Sequence, residues 1–178
     1  ELFILNCWKR RLENISSNVE IFARKLLTLS TKFLDSQFMG IPLQTMMLAE
    51  AYENDISVQY DAVFPESMDL LQLYDQFVDK KVSIYCREKK KIDTSKASVQ
   101  EDNEYWRTVF LENHILASMM TLFPPSQYHN LYTQEAALKT KNLISKIKDG
   151  HEKTGIINNV VDEKPQFIHR TFADYFVG

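Results

Sequence analysis

Glycine and proline are scarce: the 178 residues contain only 4 glycines and 5 prolines. Sandwiches and barrels of short strands need turn residues every few positions, so the shortage argues against an all-β fold and for long helices. Cysteine is nearly absent. Cys7 and Cys86 show no CxxC spacing, which removes a disulfide framework and a cysteine-based zinc site. They read as reduced thiols of an intracellular protein. No apolar run approaches the roughly 18 residues of a membrane helix. The N-terminus has no charged segment followed by an apolar stretch, so no signal peptide is expected. Excess positive charge is missing too. Lys and Arg number 21 against 24 Asp and Glu, a net charge of −3. A sequence-independent nucleic-acid binder is usually basic.

Catalytic signatures are equally sparse. His114, His129, His151 and His169 are scattered, with no H-E-x-x-H pattern. There is no G-x-S-x-G, and neither cysteine has a nearby histidine. The carboxylates Asp61 and Glu66, and Glu101, Asp102 and Glu104, fall in loop-like or helix-start contexts and read as solvated surface. The segment Gly150-His151-Glu152-Lys153-Thr154-Gly155 has glycine at both ends. Its Lys-Thr pair lies inside the frame, where it cannot meet phosphates as a phosphate loop requires. It reads as a helix stop and a turn.

What remains is a helical chain of ordinary composition, 44% hydrophobic and 25% charged, long enough for one domain or two small ones. Leu2, Leu5, Trp8 and Leu12 have helical spacing. Ser17-Asn18-Val19-Glu20 fits a capping box before a stripe of Val19, Phe22, Ala23, Leu26, Phe33 and Leu34. Pro42 suits the first position of a helix over Leu43–Tyr52 that is apolar on most sides and therefore buried. Residues 58–67 read as a linker. A helix from Met68 carries Leu70, Leu73, Tyr74, Phe77, Val78 and Tyr85, and ends in Arg87, Lys89, Lys90 and Lys91, cations that suit a helix C-terminus. Further helices are expected over 99–122, stopped by Pro124-Pro125, and over 132–148, stopped by Gly150. The β-branched pairs Ile156-Ile157 and Val160-Val161, then Asp162-Glu163-Lys164-Pro165 and Gln166-Phe167-Ile168-His169, read as a β-hairpin or wing followed by a helix from Arg170. Leu43, Met47, Phe77, Leu116, Phe167 and Phe172 are the expected core. Both ends stop within helical patterns, which suggests a fragment of a longer chain.

Two segments carry a resemblance. Gly40-Ile41-Pro42-Leu43-Gln44-Thr45-Met46-Met47-Leu48-Ala49-Glu50 resembles the proline-bearing helix start of the helical domain in NACHT-type STAND NTPases, the NOD-like receptor class. Phe167-Ile168-His169-Arg170-Thr171-Phe172-Ala173-Asp174-Tyr175-Phe176-Val177 resembles the start of the last winged-helix-domain helix in the same proteins. Their order and separation agree with the family, and the whole chain looks most like arthropod NACHT proteins joined to ankyrin repeats. The resemblance implies a mainly α fold, with a helical subdomain (1–57), a linker (58–67) and a winged-helix domain with a short β-hairpin (68–178). It implies that Pro42 packs by the adenine of ADP and that His169 reaches the β-phosphate. Neither role is visible without the family: Pro42 alone reads as a helix start, and His169 as a helix cap. Asp174 stands where many relatives have Glu.

The family's phosphate loop and acidic metal-binding strand would lie upstream of Glu1. The chain is then not itself an enzyme but the lid side of a P-loop ATPase. ADP or ATP is expected only with the upstream domain, and no cofactor for the isolated chain. The implied partners are that upstream nucleotide-binding domain, other copies of the parent on activation and a C-terminal repeat domain, with no nucleic acid and no membrane. The implied setting is cytoplasmic signalling in innate immunity. The alternative is a helical interaction scaffold without nucleotide dependence. A winged-helix nucleic-acid binder is disfavoured by the acidic balance and the lack of an Arg-rich recognition helix.

Overall fold

The computed structural model describes residues 20–21, 23–25, 28, 42–52, 69–89, 100–128 and 130–178. In chain order the elements are α1 (Pro42–Ala51), α2 (Leu70–Lys89), α3 (Gln100–Leu122), α4 (Pro125–Tyr128), α5 (Gln134–Lys148), β1 (Ile157–Val161), β2 (Lys164–Phe167) and α6 (Arg170–Val177). Among the described residues the fold is mainly helical with a small two-stranded antiparallel sheet, as the composition leads one to expect. The chain divides into two compact units, residues 1–80 and 81–178, with the boundary inside α2. The expected helix at 2–12, the cap at Ser17 and the linker at 58–67 lie outside the described residues. Residues 20, 21, 23–25 and 28 are helical.

Helix ends follow local chemistry. α1 begins at Pro42, whose missing N–H costs nothing at a first helical position. Asp69 and Gln72 cap α2 reciprocally. The Gln72 amide donates to Asp69 Oδ1 at 2.8 Å, and the Asp69 amide donates to Gln72 Oε1 at 2.9 Å. α3 stops at Leu122, just before Pro124-Pro125, and Pro125 opens the single turn of α4. Thr133 caps α5 by accepting from the Ala136 amide. Beyond α5, Gly150 takes φ +75, and the His151 amide donates back to the Lys146 carbonyl at 2.8 Å. That is the left-handed helix stop expected of a glycine there.

In the first unit, Met47, Leu48 and Ala49 of α1 and Leu73, Tyr74, Phe77 and Val78 of α2 are buried. The second unit is organised on α3, which packs against α5, α6 and β2. One cluster joins Ala117 of α3, Leu143, Ile144 and Ile147 of α5, and Ile157 and Val160 of β1, with Met120 and Phe167 at its edge. Met47, Phe77, Leu116 and Phe172 are buried as expected. Leu43 and Phe167 are only half-buried. Leu43 sits in the open first turn of α1, and Phe167 closes β2 at the margin of the cluster.

The hairpin pairs Val161 with Lys164, Val160 with Pro165, Asn159 with Gln166 and Ile157 with Phe167, with an irregularity between Ile157 and Asn159. The Thr121 hydroxyl of α3 donates to the Pro165 carbonyl at 3.2 Å and ties the hairpin to the helix. Its two-residue turn puts Asp162 at φ 50 and Glu163 at φ 61. Both are left-handed, as a tight hairpin turn matching the strand twist requires. Asparagine or aspartate tolerates this at the first position, but glutamate at the second carries the full Cβ strain.

Two outcomes follow from this packing. Glu163→Gly should stabilise the chain by about 0.5–1 kcal/mol in urea titration, because glycine adopts the left-handed region freely. A loss of stability would mean that the Glu163 side chain contributes more than its backbone costs. Leu116→Ala should cost about 2–5 kcal/mol by cavity formation. An unchanged melting midpoint would show that the inner face of α3 has been misassigned.

Candidate functional site

The residue with the most defined chemistry among those expected to act is His169. The strand pairing runs on past β2 through the Ile168 amide, which donates to the Ile156 carbonyl at 2.9 Å. His169 then stays extended, φ −154 and ψ 144, and becomes the N-cap of α6. Its Nδ1 lies 2.9 Å from the Thr171 hydroxyl and accepts from the Thr171 amide at 3.4 Å. The Phe172 amide donates to the His169 carbonyl at 3.1 Å. An Nδ1 that accepts from a backbone N–H must present its lone pair, so the neutral ring carries its proton on Nε2. The side chain is exposed, and among the described residues Nε2–H has no acceptor. The cap reading of His169 is therefore what the geometry displays, and it leaves one directed donor unused.

α6 holds this cap in place. Phe172, Ala173 and Phe176 are buried, while Asp174 faces solvent and its carbonyl accepts from the Gly178 amide at 3.0 Å. The helix packs on α3 and β2. Phe176 approaches His114 of α3 with ring centroids 5.3 Å apart, and His114 in turn stacks on Phe110 at 4.0 Å and 25°.

His114 is a residue whose role the sequence pattern does not reveal. It is fully buried, with Nδ1 2.7 Å from the Phe110 carbonyl. A carbonyl only accepts, so Nδ1 carries the proton and Nε2 is a lone pair. That Nε2 is buried and, among the described residues, meets no hydrogen-bond donor. Burial pushes its pKa down to about 4, against the opposing pull of the Phe110 carbonyl. His114 is thus an uncharged, aromatic core side chain between two phenylalanines. Tyr85 of α2 meets Phe110 edge-on at 5.3 Å. Burial first and the Glu152 carboxylate second raise its pKa, so it stays protonated.

Pro42 is the first residue of α1, and its side chain lies outside the described set. It belongs to the first unit and His169 to the second, so each is placed within its own unit. The glycine-flanked segment is the helix stop and turn expected of it. Gly155 also takes φ +75, and the Thr154 hydroxyl accepts from the Ile156 and Ile157 amides at 3.3 and 3.0 Å. These bonds fold the segment into the start of β1. In the basic cluster at the end of α2, Arg87 is exposed and lies 3.7 Å from Glu88, while Lys90 and Lys91 are outside the described residues. Cys86 is buried and in no disulfide. Among the described residues no three His, Cys, Asp or Glu side chains converge as a metal site, and no helix is long and apolar enough to cross a membrane.

No family model matches the chain, and neither curated proteins nor solved structures give a match.

The His114 arrangement sets a pH dependence. The unfolded ring titrates near 6.5 and the folded one near 4, so the unfolded state binds the proton first. Stability should fall as pH drops from about 6.5 to 4, by up to about 3 kcal/mol, and His114 should contribute no further loss below that. Urea midpoints across this range should show the slope, and His114→Phe should flatten it. A slope unchanged in the variant would place the responsible proton elsewhere.

Proposed function

We propose that the chain is the regulatory, lid-side portion of a NACHT-type nucleotide switch: a helical subdomain followed by a winged-helix domain that latches the ADP-bound closed state. The observation that carries this reading is the His169 junction. A β-hairpin runs directly into α6, His169 caps that helix through Nδ1, and Nε2–H remains exposed for an external acceptor. In the closed parent that acceptor is a β-phosphate oxygen of ADP. The neutral imidazole donates to it through Nε2–H while Nδ1 keeps the cap. Pro42, opening α1, offers a rigid apolar ring beside the adenine without competing for its hydrogen bonds. The hairpin and α6, both packed on α3, supply the wing-and-helix arrangement that the winged-helix reading needs.

In this mechanism the chain performs no hydrolysis. The phosphates are held by an upstream loop of backbone amides, a lysine and a Mg²⁺ ligand, and the lid contributes one directed hydrogen bond. ADP binds the latched arrangement more tightly than the open one, and that difference alone sets the population of the closed state. Exchange for ATP with a trigger releases His169, turns the lid and exposes the surface on which parent molecules assemble.

The test uses the intact parent, wild type against His169→Ala. Loss of one hydrogen bond to a charged acceptor removes about 1–3 kcal/mol. ADP affinity should then fall about tenfold or more, and size-exclusion should show oligomers without a trigger. Unchanged ADP affinity with an unchanged monomer peak would return His169 to a purely capping role. The isolated chain should bind ADP weakly or not at all. Tight binding there would require a phosphate site outside this mechanism.

A further inference from the structure

The turn between α5 and β1 holds backbone donors that neither the core nor the nucleotide reading uses. The His151 and Glu152 amides donate back to the Lys146 carbonyl, at 2.8 and 3.1 Å. The Ile156 and Ile157 amides donate to the Thr154 hydroxyl, at 3.3 and 3.0 Å. Between these pairs stand the amides of Lys153, Thr154 and Gly155, three in a row, and among the described residues none of them makes a hydrogen bond. Thr154 is buried, where an unpaired amide is costly. The same three residues line a cleft of about 240 Å³, to which α2 contributes Lys81, Tyr85 and Glu88. All of them belong to the second unit. Gly155 shapes this cleft. Its φ is +75, and a Cβ there would stand 3.0 Å from Lys81 Cδ and 3.3 Å from Lys81 Nζ. The glycine therefore lets the Lys81 stem lie against the turn and brings its ammonium to the row of amides. Lys153 supplies a second cation from the turn itself. It is exposed and has no ion pair among the described residues.

Consecutive amides with ammonium groups on two sides are the donors that an oxyanion takes. We propose that this cleft is a phosphate-binding site, which takes the phosphate of a small phosphomonoester and lays its organic part on Tyr85 and Ile84. The site is not a phosphate loop. A strand, β1, follows Gly155 where a phosphate loop needs a helix, so no helix dipole takes part and one phosphate group is held. Two carboxylates set the strength. Glu88 lines the cleft, with the Arg87 guanidinium 3.7 Å away. Glu152 is buried and outside the lining, and its charge acts on Tyr85. Lys81 and Lys153 together outweigh Glu88, so an anion is attracted on balance, but weakly. The inference does not rest on nucleotide binding by the parent or on His169.

Nuclear magnetic resonance of the isotope-labelled 178-residue chain tests it, with inorganic phosphate and phenyl phosphate titrated in at an ionic strength held constant with sodium chloride. The amide resonances of Lys153, Thr154 and Gly155 should move along one saturating curve, with Kd on the order of 1 mM for inorganic phosphate. Phenyl phosphate should bind at least about threefold tighter, because its ring meets Tyr85 and Ile84. Lys81→Gln and Lys153→Gln should each weaken binding at least about fivefold. Glu88→Gln should strengthen it about twofold or more, since it removes a like charge from the lining. A gain of affinity cannot come from a folding defect, so this variant separates the site from a structural effect of the others. Shifts that rise without saturating, shifts confined to the start of α6 at Arg170–Phe172, or an affinity indifferent to both lysines would overturn the inference. Equal affinity for the two probes would overturn the assignment of the organic part.

Discussion

Helix α3 has to be buried in two directions at once, and much of the second unit follows from that constraint. Ala117 looks toward α5 and the hairpin, while His114 lies among Phe110 and Phe176 on the side taken by α6. Polar side chains on those two faces cannot reach water, so they must find acceptors nearby. They do so by turning back within the helix, with Thr121 also reaching the Pro165 carbonyl of the hairpin. His114 Nδ1–H donates to the Phe110 carbonyl, the Ser118 hydroxyl to the His114 carbonyl at 2.7 Å and the Thr121 hydroxyl to the Ala117 carbonyl at 2.9 Å. These are bonds back to the preceding turn, the usual resort of short polar groups inside helices. His114 Nε2 is left over, and that one unmet lone pair makes the aromatic stack sensitive to acid.

How much of this could be read beforehand varies with the kind of signal. Helix ends were legible because they are local. Pro42, Pro124-Pro125 and Gly150 stop or start backbone by their own stereochemistry, and the structure places boundaries within a residue or two of them. The hairpin was legible because β-branched pairs flank a polar turn. What was not legible depends on contacts distant in sequence. Nothing in the spacing of His114 tells a buried histidine from an exposed one, since α3 carries apolar residues on several faces. The left-handed turn at Asp162-Glu163 was invisible as a conformation, because neither residue is glycine. Pattern alone makes Leu43 and Phe167 core residues, yet end-of-element positions leave them half open.

The candidate site shows the same division. Sequence placed His169 before a helix, and two readings were open: a cap, or a ligand for phosphate. The geometry makes these roles compatible. The cap occupies Nδ1, and by doing so it sets the tautomer that puts a proton on Nε2. An imidazole without the Thr171 contact would share its proton between both nitrogens and would meet an oxyanion with a donor only part of the time. Capping thus prepares the ring as a donor. Pro42 allows no similar deduction, because a first-turn proline is sufficiently explained by the start of α1.

The two ends of the hairpin also differ in how they are held. His169 sits where strand pairing, a helix cap and buried Phe172 converge, so its position is fixed from three sides. In the role proposed for His169, a donor that meets one phosphate oxygen would benefit from that rigidity, since a displaced hydrogen bond weakens steeply. Glu163 at the hairpin tip is placed differently: its backbone is left-handed, at φ 61, and its side chain lines a cleft with Lys141 and Lys148. A glycine would relieve the turn, but it would take a carboxylate away from the two lysines. The hairpin tip therefore combines backbone strain with a charge, while the hairpin base, a few residues away, keeps its geometry for the cap.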